Sequence, residues 1–345
     1  MRMMLRVLSA LGAVVGVVLG VGVLTAGWER PWPKVTQLGY RGVQMQQIDN
    51  PARLLAALAA NVPPDPQDPA EPGGKLASES YKNVKVLGAL TENQFNRLML
   101  SVTQWVAPEQ GCEYCHNTEN LADDSKYTKV VARRMFQMTK RINIGWVQHV
   151  GTTGVTCYTC HRGNPVPKHI WFSSAAETRP QGMLGYRDGQ NEPAKSVALS
   201  SLPNDPFTSL LDQVEPIRIQ QTKALPVSGV VKPGVKAAEK TYGLMMHMSS
   251  ALGVNCTYCH NSRAFSDWSQ STPQRVTAWY GLRMVRDLNM TYLDPLKPAW
   301  PANRLGPQGD GPKAFCTTCH QGLAKPLNGA QMHKDNLELD AAVLN

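Results

Sequence analysis

Cys157-Tyr158-Thr159-Cys160-His161 is one of four Cys-x-x-Cys-His runs in this chain. The others are Cys112-Glu113-Tyr114-Cys115-His116, Cys256-Thr257-Tyr258-Cys259-His260 and Cys316-Thr317-Thr318-Cys319-His320. Together they use all 8 cysteines. In such a run two thiols add across the vinyl groups of a haem, and the two-residue spacer lets one turn of chain reach both. The following histidine then sits beneath the iron. Zinc sites and disulfides are the competing use of paired cysteines. Histidine is only 8 of 345 residues. Its occurrence after all four pairs by chance has a likelihood on the order of 10⁻⁷, so covalent haem is the reading. The expected cofactor is four covalently bound haem c.

Outward from the motifs, the chain reads as an internal duplication. Residues 112–117, CEYCHN, match 256–261, CTYCHN, and 130–143, VVARRMFQMTKRIN, match 276–289, VTAWYGLRMVRDLN. Met138 falls over Met284, and Asn143 over Asn289. Each block is expected to run helix, haem site, helix, haem site. Thr91-x-x-Gln94 is a capping-box signature, followed by Phe95, Leu98, Met99 and Val102 on one helical stripe. Val131, Met135, Met138 and Ile142 form the next stripe, and Thr272-Pro273 reads as an N-cap with proline at the first helical position. With 28 Gly and 25 Pro, much of the chain must be turns. The fold class expected is therefore mainly α with extensive loops, a multihaem cytochrome c of two duplicated dihaem blocks.

The expected organisation is an N-terminal transmembrane anchor at 1–27, an extended arm at 28–80 and a first dihaem block at 81–170. A connecting segment at 171–235 includes a short β-like stretch at 214–219. The second dihaem block spans 236–325, and a tail follows at 326–345. Val7–Ala26 is an uncharged apolar run of membrane-spanning length, preceded by Arg2 and Arg6. That places the following chain on the far side of the inner membrane, in the periplasm. A cleaved signal peptide is the competing reading, with Leu24-Thr25-Ala26 as its cleavage site. The formal charge of +9 invites nucleic acid as a partner. The basic residues are scattered, however, and the propionates of four haems add about −8 when ionised. No nucleic acid is expected.

Distal ligands remain to be found. His149, His169, His247 and His333 lie outside the motifs, so histidine on every iron is numerically possible. Methionines are better placed. Met99, Met135 and Met245 lie on helices preceding the first, second and third motifs. The residue aligned with Met135 in the second block is Gly281, which cannot ligate. The fourth haem must then borrow a ligand, with His149 the natural candidate and Met284 and Met290 its rivals.

These residues carry a family resemblance. The chain resembles the tetrahaem cytochrome c subunit of the purple-bacterial photosynthetic reaction centre in YKNVKVLG (81–88), VVARRM (130–135), GVTCYTCHRG (154–163) and NDPFT (204–208). The likeness continues through NCTYCHN (255–261), STPQR (271–275), RMVRDLN (283–289) and CTTCHQG (316–322), with GYRG (39–42) in the arm. The resemblance implies the axial pairs Met99/His116, Met135/His161, Met245/His260 and His149/His320. It also implies a row of haems in the order first, second, fourth, third, with Arg275 beside the third. Implied partners are the reaction-centre L, M and H subunits with their bacteriochlorophyll special pair. A soluble donor such as cytochrome c2 or a high-potential iron-sulfur protein is also implied. The expected role is an electron carrier, not an enzyme, re-reducing the special pair at the photosynthetic membrane. Some members carry a lipidated amino-terminal cysteine, and no cysteine here lies outside the motifs. The alternative from another class is a membrane-anchored tetrahaem quinol oxidase, which favours histidine on both faces of each iron.

Overall fold

The computed structural model describes residues 2–26, 33–39, 45–174, 193–219 and 234–341. Tyr40, Arg41 and Gly42 of the GYRG motif in the arm, and much of the connecting segment, lie outside these residues. Helix α1 (Arg2–Ala26) precedes a hairpin of β1 (Lys34–Gln37) and β2 (Gln46–Asp49), antiparallel with Lys34 opposite Asp49. There follow α2 (Pro51–Ala60), α3 (Ala77–Ser80), α4 (Glu92–Val106), α5 (Tyr127–Gly145), α6 (Val147–Val150) and α7 (Cys157–His161). Beyond 171 come α8 (Val235–Leu252), α9 (Pro273–Asp287) and α10 (Cys316–His320). The fold is mostly helical.

Local chemistry sets the helix ends. The Thr91 hydroxyl accepts from the Gln94 amide at 3.3 Å, and the Gln94 side chain accepts from the Thr91 amide at 3.0 Å, closing the capping box. Thr272 departs from expectation. Pro273 does begin α9, but the Thr272 hydroxyl donates to the Tyr258 carbonyl at 2.6 Å instead of capping the helix. It ties α9 to the third motif. The 214–219 stretch is not a strand, because Pro216 removes a donor and neighbouring helices take the carbonyls. Arg286 Nη2 donates to Glu215 O at 2.9 Å, and Thr241 Oγ1 to Ile217 O at 3.0 Å.

The arm also holds more regular structure than its composition suggests. Asn50 caps α2, with its side chain accepting from the Ala52 amide at 3.0 Å. Strand β2 docks on the third motif, where Thr257 Oγ1 and Asn255 Nδ2 donate to Gln46 O at 2.6 and 2.8 Å.

Three apolar clusters organise the body. Leu87, Leu90, Leu98, Trp105 and Phe136 form the first, with Met99, Cys157 and Tyr158 packed against it. Trp171, Phe207, Leu210, Leu211, Leu244, Leu282 and Val285 form the second, with Met245 and Phe315 against it. Ile142, Val155, Met284, Leu288 and Tyr292 make a seam between the halves. Helix α1 stands apart. Its span Arg6–Thr25 is long and apolar enough to cross a membrane, and none of it is buried in the body.

Candidate haem centres

The four motif histidines share one arrangement. His116 Nδ1 lies 3.1 Å from Leu121 O, His161 Nδ1 3.0 Å from Asn164 O, His260 Nδ1 3.0 Å from Phe265 O and His320 Nδ1 3.0 Å from Leu323 O. A carbonyl partner fixes the proton on Nδ1 and leaves the Nε2 lone pair free for a metal. Burial lowers the pKa of His161 and His260 and pushes His320 down to about 4, so the ring is held neutral.

The motifs fall into two geometric kinds. The first and third are 3₁₀ turns, Gly111–Tyr114 and Cys256–Tyr258, each held from the following helix. Thr128 Oγ1 donates to Tyr114 O at 2.5 Å, as Thr272 does to Tyr258 O. The second and fourth are single α-helical turns, α7 and α10. A threonine inside each accepts from the amide preceding the first cysteine: Thr156 N to Thr159 Oγ1, and Phe315 N to Thr318 Oγ1, both 3.0 Å. Asn143 bonds both backbone groups of Val155 at 3.1 and 2.8 Å, and Asn289 both groups of Ala314 at 3.0 and 2.9 Å. The two aligned asparagines thus do the same work, each anchoring the residue two before a cysteine.

His149, on α6, faces His320 with ring centroids 6.0 Å apart. Its Nδ1 is 2.9 Å from the Thr277 carbonyl of α9, and burial lowers its pKa. Gly281 makes this possible. A Cβ there would lie 2.5 Å from His149 Cε1 and 2.8 Å from Nδ1. The residue that cannot ligate is also the one that leaves room for the imidazole. Met290, a rival ligand, is 47% exposed, and Met284 is buried in the seam.

Met99, Met135 and Met245 are half-buried on α4, α5 and α8. Thr103 and Thr139 each donate to the carbonyl four residues back, that of Met99 at 2.8 Å and of Met135 at 2.9 Å. Among the remaining histidines, His247 is buried between Phe207 and Phe315, with Nδ1 on Ser196 O at 2.8 Å. His333 pairs with Asp340 at 3.0 Å. Arg275 lies 4.0 Å over the Trp268 ring and donates to Ser271 Oγ at 2.6 Å.

The cysteines show one departure. Every sulfur is assigned to haem by the sequence, yet Cys160 Sγ and Cys319 Sγ are bonded to each other here, with Cα atoms 4.4 Å apart. A sulfur in a disulfide cannot also be a thioether. The contact arises because α7 packs directly on α10. Cys112, Cys115, Cys157, Cys256, Cys259 and Cys316 are free thiols.

The donor set fits a c-type haem, which needs thiols one turn apart and a neutral imidazole with Nε2 open. His149 and His320, with ring centroids 6.0 Å apart, are the two imidazoles close enough to hold one metal at the fourth site were it bound. What sequence reasoning missed is the set of carbonyls that orient each ring, since a backbone acceptor leaves no mark in a residue pattern.

A family model described as the photosynthetic reaction centre cytochrome C subunit matches residues 29–340. A photosynthetic reaction center cytochrome c subunit of Rubrivivax gelatinosus is 55% identical over 312 residues, covering 90% of this chain and 85% of that protein. One from Thermochromatium tepidum is 49% identical, covering 92% and 78%, and one from Roseobacter denitrificans 44%, covering 78% and 75%. With motifs, fold and relatives in agreement over nearly its whole length, the chain belongs to the family of photosynthetic reaction centre cytochrome c subunits.

Proposed function

We propose that this electron-transfer subunit holds four c haems in two duplicated dihaem blocks and passes electrons from soluble periplasmic donors to the photo-oxidised special pair. The observation that carries it is the common arrangement of the motif histidines, each tied at Nδ1 to a backbone carbonyl with Nε2 left for iron. Each haem supplies one-electron exchange between ferric and ferrous iron. The chain's own work is to hold those sites close, keep water out and fix the ligand rings. Met99, Met135 and Met245 serve as distal ligands opposite His116, His161 and His260, and His149 serves opposite His320.

Packing supports the order first, second, fourth, third. Met99 of α4 packs on the same apolar cluster as Cys157 and Tyr158 of the second motif, and Met245 shares a cluster with Phe315 beside the fourth. Between them α7 meets α10 through Cys160 and Cys319. The matching asparagines 143 and 289 support the duplication. Helix α1 serves as the anchor that leaves the body on the periplasmic face, against the L, M and H subunits. Cytochrome c2 or a high-potential iron-sulfur protein is the donor class. In this reading both Cys160 and Cys319 form thioethers in the loaded protein.

Pyridine haemochrome analysis of the purified full chain tests the proposal, with four haems per chain expected. Fewer than four overturns it. Alkylation under denaturing conditions after reduction should find no thiol. Release of two thiols by reductant would leave Cys160 and Cys319 as a disulfide and the second and fourth haems singly attached. A methionine–iron charge-transfer band in the oxidised spectrum is expected, and its absence would remove the methionine ligands.

A further inference from the structure

Arg162 follows the second motif directly and lies at its junction with the fourth. Its backbone is left-handed, at φ 51°. Its Nε donates to Thr159 O at 3.0 Å, and its Nη2 crosses to Cys319 O in the fourth motif at 3.1 Å. Its Nη1 is buried without a hydrogen-bond partner. Among the described residues no carboxylate lies within ion-pair distance of this guanidinium. A buried cation with one donor group unmet is costly, unless an acceptor from outside the chain meets it.

The equivalent residue after the fourth motif sharpens the point. Gln321 has the same left-handed backbone, at φ 47°, and donates to Thr318 O at 3.3 Å, as Arg162 does to Thr159 O. A neutral side chain therefore satisfies that backbone position. The charge at 162 lies 5.7 Å from the Tyr158 ring centre, yet its Nη1 still has no acceptor.

We propose that Arg162 is a positioning residue for the haems of the second and fourth motifs, its Nη1 meeting a haem propionate and its charge raising their midpoint potentials. The proposal rests on the four-haem reading above. A fixed cation opposes the ferric state, which carries one more positive charge than the ferrous, and burial in low dielectric strengthens that effect. By also holding the Cys319 carbonyl, Arg162 fixes the spacing of the two motifs across which electrons pass.

The test is a redox titration of the haem-loaded full chain, comparing wild type with R162Q and R162K and counting haems in each. R162Q installs the residue found at 321. Expected is a fall in midpoint for the second haem, the fourth or both, by about tenfold in the ferric-to-ferrous ratio, or roughly 59 mV for one electron. The first and third should hold, and R162K, which keeps the charge, should recover more than half of the shift. Four haems with unchanged potentials in R162Q overturn the proposal, as does an equal fall in both variants. Haem loss from both overturns it too, since the side chain is then packing alone. Loss confined to R162Q supports it. A wild type with fewer than four haems is a different failure, that of the four-haem reading itself.

Discussion

At the scale of single residues, two positions separate ligation from packing. Met99 packs against the first apolar cluster, where methionine is a common filler. Met99→His should lower the midpoint of one haem by at least a tenfold change in its ferric-to-ferrous ratio, about 59 mV, with haem content unchanged. A titration curve identical to wild type would make Met99 a core residue only. Gly281 is the sharper case. In Gly281→Ala the new methyl group must displace the His149 ring, because its nearest atom would be 2.5 Å away. Overpacking of this kind costs about 1–3 kcal/mol. On the proposed ligation, one haem should open a coordination position and bind carbon monoxide, while wild type binds none. Gly281→Ala that leaves the iron closed would place the fourth distal ligand elsewhere. The alignment already marked position 281, because a glycine stood where a methionine was needed. That the glycine also leaves room for the His149 ring could not be read from it, since His149 and Gly281 are distant in sequence.

Among the elements, the junction of α5 with α9 carries much of the register between halves. The Asp287 carboxylate accepts from Trp146 Nε1 at 2.8 Å and Arg141 Nε at 3.0 Å, and from the Thr291 hydroxyl at 2.9 Å. Burial pushes its pKa up, but these donors outweigh burial and hold it below the usual carboxylate value. A carboxylate depressed on folding stabilises above its unfolded pKa of about 3.9, and that contribution is lost as pH falls through the folded value. Asp287→Asn should therefore cost about 1.5–3 kcal/mol near pH 7. The gap from wild type should narrow as pH drops below about 4. Denaturant titrations at pH 7 and pH 3.5 measure this, and a gap that widens in acid would contradict it. Helix identities at this scale follow from stripes and caps, and α4 and α5 needed nothing more. Thr272 shows the limit of such reading. Its hydroxyl has a choice between its own helix and the Tyr258 carbonyl, and only proximity decides it.

For the whole molecule, residues 336–339 close on the first apolar cluster. Leu339 is fully buried in the first cluster, and Arg97 reaches Glu338 at 3.1 Å and Asn336 at 3.1 Å. Leu339→Ala should destabilise the protein by about 2–5 kcal/mol, seen as a lower denaturant midpoint. A change under 0.5 kcal/mol would mean the tail is an appendage. With residues 2–26 replaced by a cleavable export signal, and without the reaction-centre subunits, the protein should load haem but no longer sediment with membranes, because none of the apolar span is buried in the body.

The sequence alone determined the cofactor class and the helical class. Covalent attachment demands fixed spacing, and amphipathic periodicity is local. Tertiary structure decided what meets what. It placed α7 on α10, brought His149 to His320, laid β2 on the third motif and drew Leu339 into the first cluster. Each of these joins residues far apart along the chain, and such contacts are selected by the shape and burial of the assembled body.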